Sequence, residues 1–386
     1  MFDHINTHTK VRRLGYLKLL VQQYFDKDFI SISSFNKYFE RISGSNEIQQ
    51  QLENYSFYYR KDSKGIIESL GTGASSEPYT RLAESLSIIA RNNYSYILTK
   101  YAKVYKVIQE RYQKEGNKFK FIEEQKVIQP ISLFDLNVGT GNVFVLNALD
   151  KFFFLKQLLQ KDFFYIKTIL SILSKDASSG DTKFGKYAFV KQLFLEELSD
   201  QITRYLAIPY LDKDLRNKAI DFERKQKSKT LKIRSYESII EPRISWLLDL
   251  DLIDQVKHKQ NILKLSGSGT KLLGKINEIF DIDAFVESDY VKTFSLIYDL
   301  NPKADFESDK KIEKYLNYAF INFKTLAPNR IAASQAIEYI AIMCLLREGI
   351  LLEYGEIKRY LFKLDGKGYI MDWFPSENDG SLKKIT

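Results

Sequence analysis

The chain is poor in the residues that build metal sites and nucleophilic active sites. It contains one cysteine, Cys344, and three histidines, His4, His8 and His258. A single cysteine excludes internal disulfides and any zinc site built from several cysteines. A Ser/His/Asp triad needs a well-placed histidine, and His258 falls in a candidate loop. We therefore expect no metal ligands, no cofactor and no catalytic residues.

Long hydrophobic runs are also missing. The longest apolar stretch, Ile337–Leu346, is interrupted by Glu338 and is too short to span a bilayer. The first residues, Met1–His4, lack the basic and apolar regions of a signal peptide. We expect a cytoplasmic protein without a membrane segment.

What the chain has in excess is positive charge. Its 386 residues carry a formal net charge of +9, and the sequence pI is about 9.1. A basic balance favours an anionic partner, most often the phosphates of nucleic acid. AT-rich codon usage, which favours Lys, Ile and Asn, would give the same excess of positive charge without any nucleic-acid partner. The position of the charges therefore matters more than their sum. The length allows two or three domains.

One stretch in the second half indicates a helix followed by a β-hairpin. Residues Glu241–Asp254 begin with Pro242, which suits the first turn of a helix, and then place apolar residues at helical spacing. A basic turn, Lys257–Lys259, separates this stretch from the strand-like Asn261–Leu265. Ser266–Gly269 ends that strand before another helix.

A second copy of the pattern lies about 165 residues earlier, and internal repeats of this kind indicate a duplicated module. Glu77–Ala90 opens with the same Glu-Pro pair, with Ser76 as a candidate N-cap. A polar turn, Arg91–Asn93, precedes the strand-like Tyr94–Leu98 and a further helix.

Both stretches resemble the recognition helix and β-wing of winged helix-turn-helix domains. The resemblance implies a mainly α fold with small β-wings, made of two tandem winged-helix-like modules at 1–125 and 126–280 and a C-terminal helical region at 281–386. Within the second module, a break at Gln160–Asp162 predicts a helical hairpin. The C-terminal region reads either as a degenerate third winged unit or as a helical cap, and the cap is favoured.

In winged-helix domains the recognition helix enters the major groove and the wing contacts phosphates, which implies double-stranded DNA as the partner. A basic segment before the second helix carries six cations in eleven residues without an acid. The predicted contacts in the second module, from this segment, the helix and the wing, are Arg224, Lys225, Lys227, Lys229, Lys232, Arg234, Tyr236, Ser238, Arg243, Lys257, His258 and Lys259. Those in the first module are Thr80, Arg81 and Arg91.

The chain as a whole resembles accessory subunits of prokaryotic DNA-processing or antiphage (antiviral) defence systems, with protein partners or a homo-oligomer expected. The predicted function is a non-catalytic DNA-binding subunit or regulator. One alternative is a scaffold subunit of an enzyme complex that binds protein through its winged helices. Another is a divergent restriction-type nuclease, suggested by the spacing of Glu356 and Lys358. Gly139 and Gly141 follow a strand-like stretch, but no second strand follows them as a cofactor fold requires.

Overall fold

The computed structural model describes residues 5–7, 11–25, 27–55, 76–115, 142–179, 185–228, 233–256, 262–303, 308–323 and 329–385. Within these residues the chain is mainly helical and its strands form small antiparallel sheets, which confirms the predicted mainly α class. Among the helices described, none combines the length and apolar character needed to cross a membrane.

The first part of the chain, residues 15–98, combines helices with a three-stranded sheet and is called repeat 1. Its elements are α1 (Gly15–Gln22), β1 (Phe29–Ser31), α2 (Ile32–Ser43), α3 (Asn46–Tyr55), α4 (Glu77–Ser85), β2 (Ile89–Asn92) and β3 (Ser95–Leu98), and α5 (Lys100–Glu115) follows. The β2–β3 turn contains Asn93 at a φ of 52°, a left-handed conformation that asparagine tolerates well. The helix and strand predicted from Glu77 to Leu98 are confirmed, but the turn lies at Asn93 and Tyr94 because β2 extends to Asn92.

Repeat 2 covers residues 148–265. Its elements are α6 (Ala148–Ser179), α7 (Tyr187–Leu206), α8 (Lys213–Ser228), α9 (Ile233–Asp249), β4 (Ile253–Gln255) and β5 (Leu263–Leu265). Before α7, Lys186 forms an antiparallel bridge with Ile262. The predicted hairpin and the helix after it are present, but α9 begins at Ile233, so Pro242 lies inside the helix rather than in its first turn.

Three helices connect this repeat to the next: α10 (Gly267–Ile276), α11 (Ile282–Ser288) and α12 (Tyr290–Ile297). Ser266 caps α10 by accepting a hydrogen bond from the backbone N–H of Gly269. A Cβ on Gly269 would lie 1.9 Å from the carbonyl oxygen of Leu252. Only glycine therefore lets α10 pack this closely against the hairpin.

Repeat 3 covers residues 308–384. Its elements are α13 (Ser308–Phe323), β6 (Arg330–Ala332), α14 (Ala333–Met343), a π-helical turn (Cys344–Glu348), α15 (Tyr354–Lys363), β7 (Tyr369–Phe374), a short 3₁₀ helix (Pro375–Glu377) and β8 (Asp379–Lys384). The C-terminal region is therefore not purely helical, because it contains a three-stranded antiparallel sheet.

The three repeats share one connectivity. In the described residues of each, a helical segment is followed by a short extended segment, then by two or three helices, and finally by a β-hairpin. The extended segment pairs with the second strand of the hairpin, giving the orders β1-β3-β2 and β6-β8-β7 in the sheets of repeats 1 and 3. In repeat 2 the single bridge at Lys186 takes the place of the extended strand.

Two local predictions concern helix ends. Ser76 occupies the predicted N-cap position of α4 but makes no capping bond, because its hydroxyl donates to the carboxylate of Glu40. The break predicted at Gln160–Asp162 is present: α6 consists of two helices that meet at a kink, where Asp162 leaves helical geometry at φ −145° and ψ 25°.

Buried polar networks join the repeats. Asp150, at the start of α6, accepts hydrogen bonds from Lys18 Nζ at 2.7 Å and from the Tyr105 hydroxyl at 2.6 Å. Further along α6, Lys156 pairs with Glu338 of α14. Both ion pairs lie in the protein interior, where removing one partner is costly because it leaves a buried charge uncompensated. Repeats 1 and 3 are thus both attached to α6.

Candidate nucleic-acid interface

The helix preceding the hairpin of repeat 2, predicted to read DNA, is largely buried over the part whose side chains are described. Side chains from Ile240 to Leu247 are all buried, and Arg243 has no exposed surface. Its guanidinium donates to both carboxylate oxygens of Asp162, at 2.6 and 2.8 Å, and to the backbone oxygens of Ile239 and Ile5. The guanidinium of Arg243 is occupied by these internal contacts, so the prediction that Arg243 contacts DNA is wrong.

The N-terminal segment, residues 5–7 and 11–14, packs over this helix and helps to bury it. Arg13 pairs with Asp249 at 3.0 Å, and the indole N–H of Trp246 donates to the carbonyl oxygen of Val11 at 2.9 Å. The same segment donates the backbone N–H groups of Arg12 and Arg13 to the hydroxyl of Tyr79 on α4. It therefore joins α4 and α9, the two helices that were predicted to bind DNA.

The basic segment before α9 is described only in part. Arg224 and Lys225 are exposed near the end of α8, and both pair with Asp221. Their hydrogen bonds hold the pKa of the Asp221 carboxyl below its usual value. The side chains of Lys227, Arg234, Tyr236 and Ser238, and the whole of Lys229, Lys232, Lys257, His258 and Lys259, lie outside the described residues.

In repeat 1 the outward face of α4 is not basic. Thr80 is 3% exposed and its hydroxyl donates to the carbonyl oxygen of Ser76, so its prediction as a DNA contact is wrong. Arg81 is exposed but pairs with Glu77 one turn earlier, and Glu84 lies three residues further along the helix. Two acids and one cation leave this helix face with a formal charge of −1.

The hairpin of repeat 1 ends in an exposed polar tip. Arg91, Asn92, Asn93 and Tyr94 are all exposed, and the Nε of Arg91 donates to the carbonyl oxygen of Asn93 at 3.4 Å. The structure therefore leaves Arg91 available to solvent, as its predicted role requires.

Repeat 3 carries an exposed basic face on α15, the helix before its hairpin. The helix buries Tyr354, Ile357, Tyr360 and Leu361, a spacing of three and four residues that places them on one side. Arg359 and Lys363, one turn apart, lie exposed on the other side, and Lys367 is exposed in the turn that follows. In the part of the chain that the structure describes, none of these three cations has an ion-pair partner.

The aromatic neighbour of this face is Phe362, which is 41% exposed. Its ring lies 5.7 Å from that of Trp373 on β7. Together, Arg359, Phe362, Lys363 and Lys367 are called the α15 face. Sequence reasoning missed this face, although Lys358, Arg359, Lys363 and Lys367 fall within ten residues of sequence, because the region was interpreted as a cap.

The start of α15 is fixed by a reciprocal capping box. Glu353 accepts from the backbone of Glu356, and Glu356 accepts from the backbone N–H of Glu353. Lys358 pairs with Glu287 at 2.8 Å. Glu356 and Lys358, the residues behind the nuclease alternative, thus serve a cap and an ion pair. No group of three or more potential metal ligands occurs in the described ranges.

The carboxyl group of Glu353 is expected to make the stability of the fold depend on pH. Burial raises its pKa to about 7, against the opposing N–H groups of Lys292 and Val291, while Asp289 and Glu356 raise it further. Between its unfolded value of 4.5 and about 7, the folded state keeps a proton that the unfolded state has lost. Stability attributable to this group is therefore lost as pH rises through that window, by about 3 kcal/mol at most.

Glu353→Gln, which is permanently uncharged, removes this pH dependence. Urea unfolding of both proteins between pH 5 and 7.5 measures it: the wild type loses stability relative to the variant as pH rises. Glu278→Gln, an exposed carboxylate elsewhere, is the control and follows the wild type. Parallel curves for wild type and Glu353→Gln would contradict the assignment.

Comparison of the chain with protein-family models, with curated proteins and with solved structures gives no match.

Proposed function

We propose that the chain is a non-catalytic DNA-binding subunit built from three winged-helix units, and that the α15 face makes its main contact with duplex DNA. The observation that carries the proposal is a set of three exposed cations without ion-pair partners among the described residues, on and just after the helix that precedes a β-hairpin. The shared connectivity of the three repeats supports the winged-helix interpretation.

The geometry suits a duplex. The major groove is wide enough to admit one α-helix, and α15 presents one polar face while its other face is buried. Each unpaired Lys or Arg that meets a phosphate releases condensed counterions, which drives binding. Paired cations such as Arg81 and Arg224 would first have to leave their carboxylate partners, so they contribute less.

Repeat 1 supplies the second contact. The tip of its hairpin exposes Arg91 together with two asparagines and Tyr94, groups that can donate hydrogen bonds to phosphate oxygens. The charge of the α4 face disfavours a close approach of that helix to DNA. We therefore assign contact in repeat 1 to the hairpin and not to the helix. The assembly in which the chain acts stays a prediction from its resemblance to defence-system subunits.

The direct test is reversal of charge on the α15 face. In the double variant Arg359→Glu/Lys363→Glu we expect the affinity for a random duplex to fall at least about tenfold, because two phosphate contacts become repulsive. The slope of log K against log salt is negative, and its magnitude should become smaller by about two. Fluorescence anisotropy with a labelled duplex measures both quantities.

A matched variant separates local contact from net charge. Lys275→Glu/Lys303→Glu changes the net charge equally, and both lysines are exposed between repeats 2 and 3. We expect it to retain nearly wild-type affinity. An equal loss in both double variants would show that only total charge matters and would remove α15 as the contact. Absence of any binding to DNA at low salt would leave the protein-scaffold alternative.

A further inference from the structure

A small pocket lies where repeat 3 meets α5, α6 and α11, and its chemistry is unrelated to the basic α15 face. Its cavity volume is about 90 Å³, well below the roughly 300–1,000 Å³ of pockets that hold whole drug-sized ligands. The buried residues Lys156 and Glu338 line it, as do the exposed Asp283 and Asn378. A pocket of this size can hold the tip of a side chain or a small planar group.

The cations of the pocket are already matched. Lys156 Nζ pairs with Glu338 Oε2 and lies 4.8 Å from the ring centroid of Tyr101 and 5.1 Å from that of Tyr354. At the other side, Lys358 pairs with Glu287 and lies 4.4 Å from the ring centroid of Trp373. Neither lysine is left to attract an anion.

The unmatched groups of the pocket include two carboxylates, and the hydroxyls of Ser334 and Tyr354, which can donate or accept, also have no hydrogen bond of normal geometry. Glu338 is 1% exposed and its Oε1 has no hydrogen-bond partner of normal geometry. The carboxylate of Asp283 has no ion-pair or hydrogen-bond partner among the described residues. With two lysines and three carboxylates, the pocket has a formal charge of −1. A ligand that pairs with both carboxylates must supply donors and positive charge.

The aromatic side chains that line the pocket favour a planar cation as its ligand. Tyr101, Tyr354 and Trp373 line the pocket, and aromatic rings attract cations that stack against them. A guanidinium group is planar, carries only donors and pairs with carboxylates in a fixed geometry. An ammonium has the charge but lacks the flat shape, and urea has the shape but lacks the charge.

We propose that this pocket binds a guanidinium group, with Glu338 and Asp283 as its carboxylate partners. The group can belong to an arginine side chain of a polypeptide or to a small free guanidino compound. The two sources share the same chemistry and differ only in what continues beyond the pocket. The site is independent of DNA binding and lies on different side chains from the α15 face.

The chain has only two tryptophans, which makes a direct test possible. In protein labelled with 5-fluorotryptophan, ¹⁹F NMR resolves the pocket residue Trp373 from the fully buried Trp246, and Trp373→Phe assigns the signals. We expect methylguanidinium to shift the Trp373 resonance saturably and to leave the Trp246 resonance in place. N-methylurea and methylammonium should bind at least about tenfold more weakly.

Variants and a peptide complete the test. Glu338→Gln and the rim variant Asp283→Asn should weaken methylguanidinium binding, and Glu278→Gln should not; Asp283→Asn decides if Glu338→Gln does not fold. Binding of acetyl-Gly-Arg-Gly-amide as well identifies a polypeptide source, and binding of methylguanidinium alone identifies a free compound. No saturable shift, or equal binding of N-methylurea or methylammonium, overturns the proposal.

Discussion

Replacing Arg243 by methionine is expected to lower the free energy of unfolding by about 3–5 kcal/mol, the cost typical of breaking a buried ion pair. Both side chains of the Arg243–Asp162 pair are fully buried. Without the guanidinium, the Asp162 carboxylate keeps one donor, the backbone N–H of Ile5 at 2.9 Å. The carbonyl oxygen of Ile5 also loses the bond that it accepts from Arg243. The urea-unfolding midpoint measures the loss.

A second substitution tests whether the uncompensated charge is the cause. In Arg243→Met/Asp162→Asn the buried carboxylate of this pair is gone, so we expect the double variant to recover part of the lost stability. Hydrophobic or neutral replacements of both partners are often tolerated for this reason. Wild-type stability in Arg243→Met, or a double variant less stable than the single one, would contradict this account of the pair.

Asp150→Leu is expected to have a comparable effect at the junction of repeats 1 and 2. Its carboxylate accepts hydrogen bonds from the ammonium of Lys18, which is 6% exposed, and from the hydroxyl of Tyr105. It also accepts from the backbone N–H of Asn147, whose side chain accepts from the backbone of Asp150, a reciprocal cap for α6. Leucine removes every acceptor and leaves a buried ammonium, at a cost of about 3–5 kcal/mol.

Asp150→Asn keeps the shape and one acceptor, so its loss should be smaller than that of Asp150→Leu. An exposed pair provides the contrast: in Glu77–Arg81 the two side chains are 59% and 70% exposed. Glu77→Ala should change stability by less than about 1 kcal/mol. Thermal unfolding followed by circular dichroism ranks the three variants. Equal losses in Asp150→Leu and Glu77→Ala would show that burial does not set the cost.

Local patterns in the sequence predicted local structure well. The Glu-Pro pair at Glu77 begins α4, and a polar turn separates β2 from β3. Gly349 follows the last helical turn at a φ of 66°, the left-handed conformation expected of a glycine there. These features depend on residues within a few positions of one another, which a sequence displays directly.

The environment of Arg243 could not be predicted in the same way. Its partners, Asp162 and Ile5, are 81 and 238 residues away, and no periodicity links these positions. An arginine on an amphipathic helix is usually exposed, and the docking of both α6 and the N-terminal segment makes this one internal. The α15 face was missed for another reason: β8 has the sequence Asp-Gly-Ser-Leu-Lys-Lys, which lacks the apolar alternation of a typical strand, so the hairpin of repeat 3 was not recognised as the counterpart of the other two.

The measurement that tests the central claim most directly is the affinity of the unmodified chain for a random duplex as a function of salt. If the three unpaired cations of the α15 face and Arg91 contact phosphates, log K should fall linearly with log salt with a slope of about −3 to −4. Binding that is absent at low salt, or present but insensitive to salt, would contradict a phosphate-binding surface and with it the proposed function.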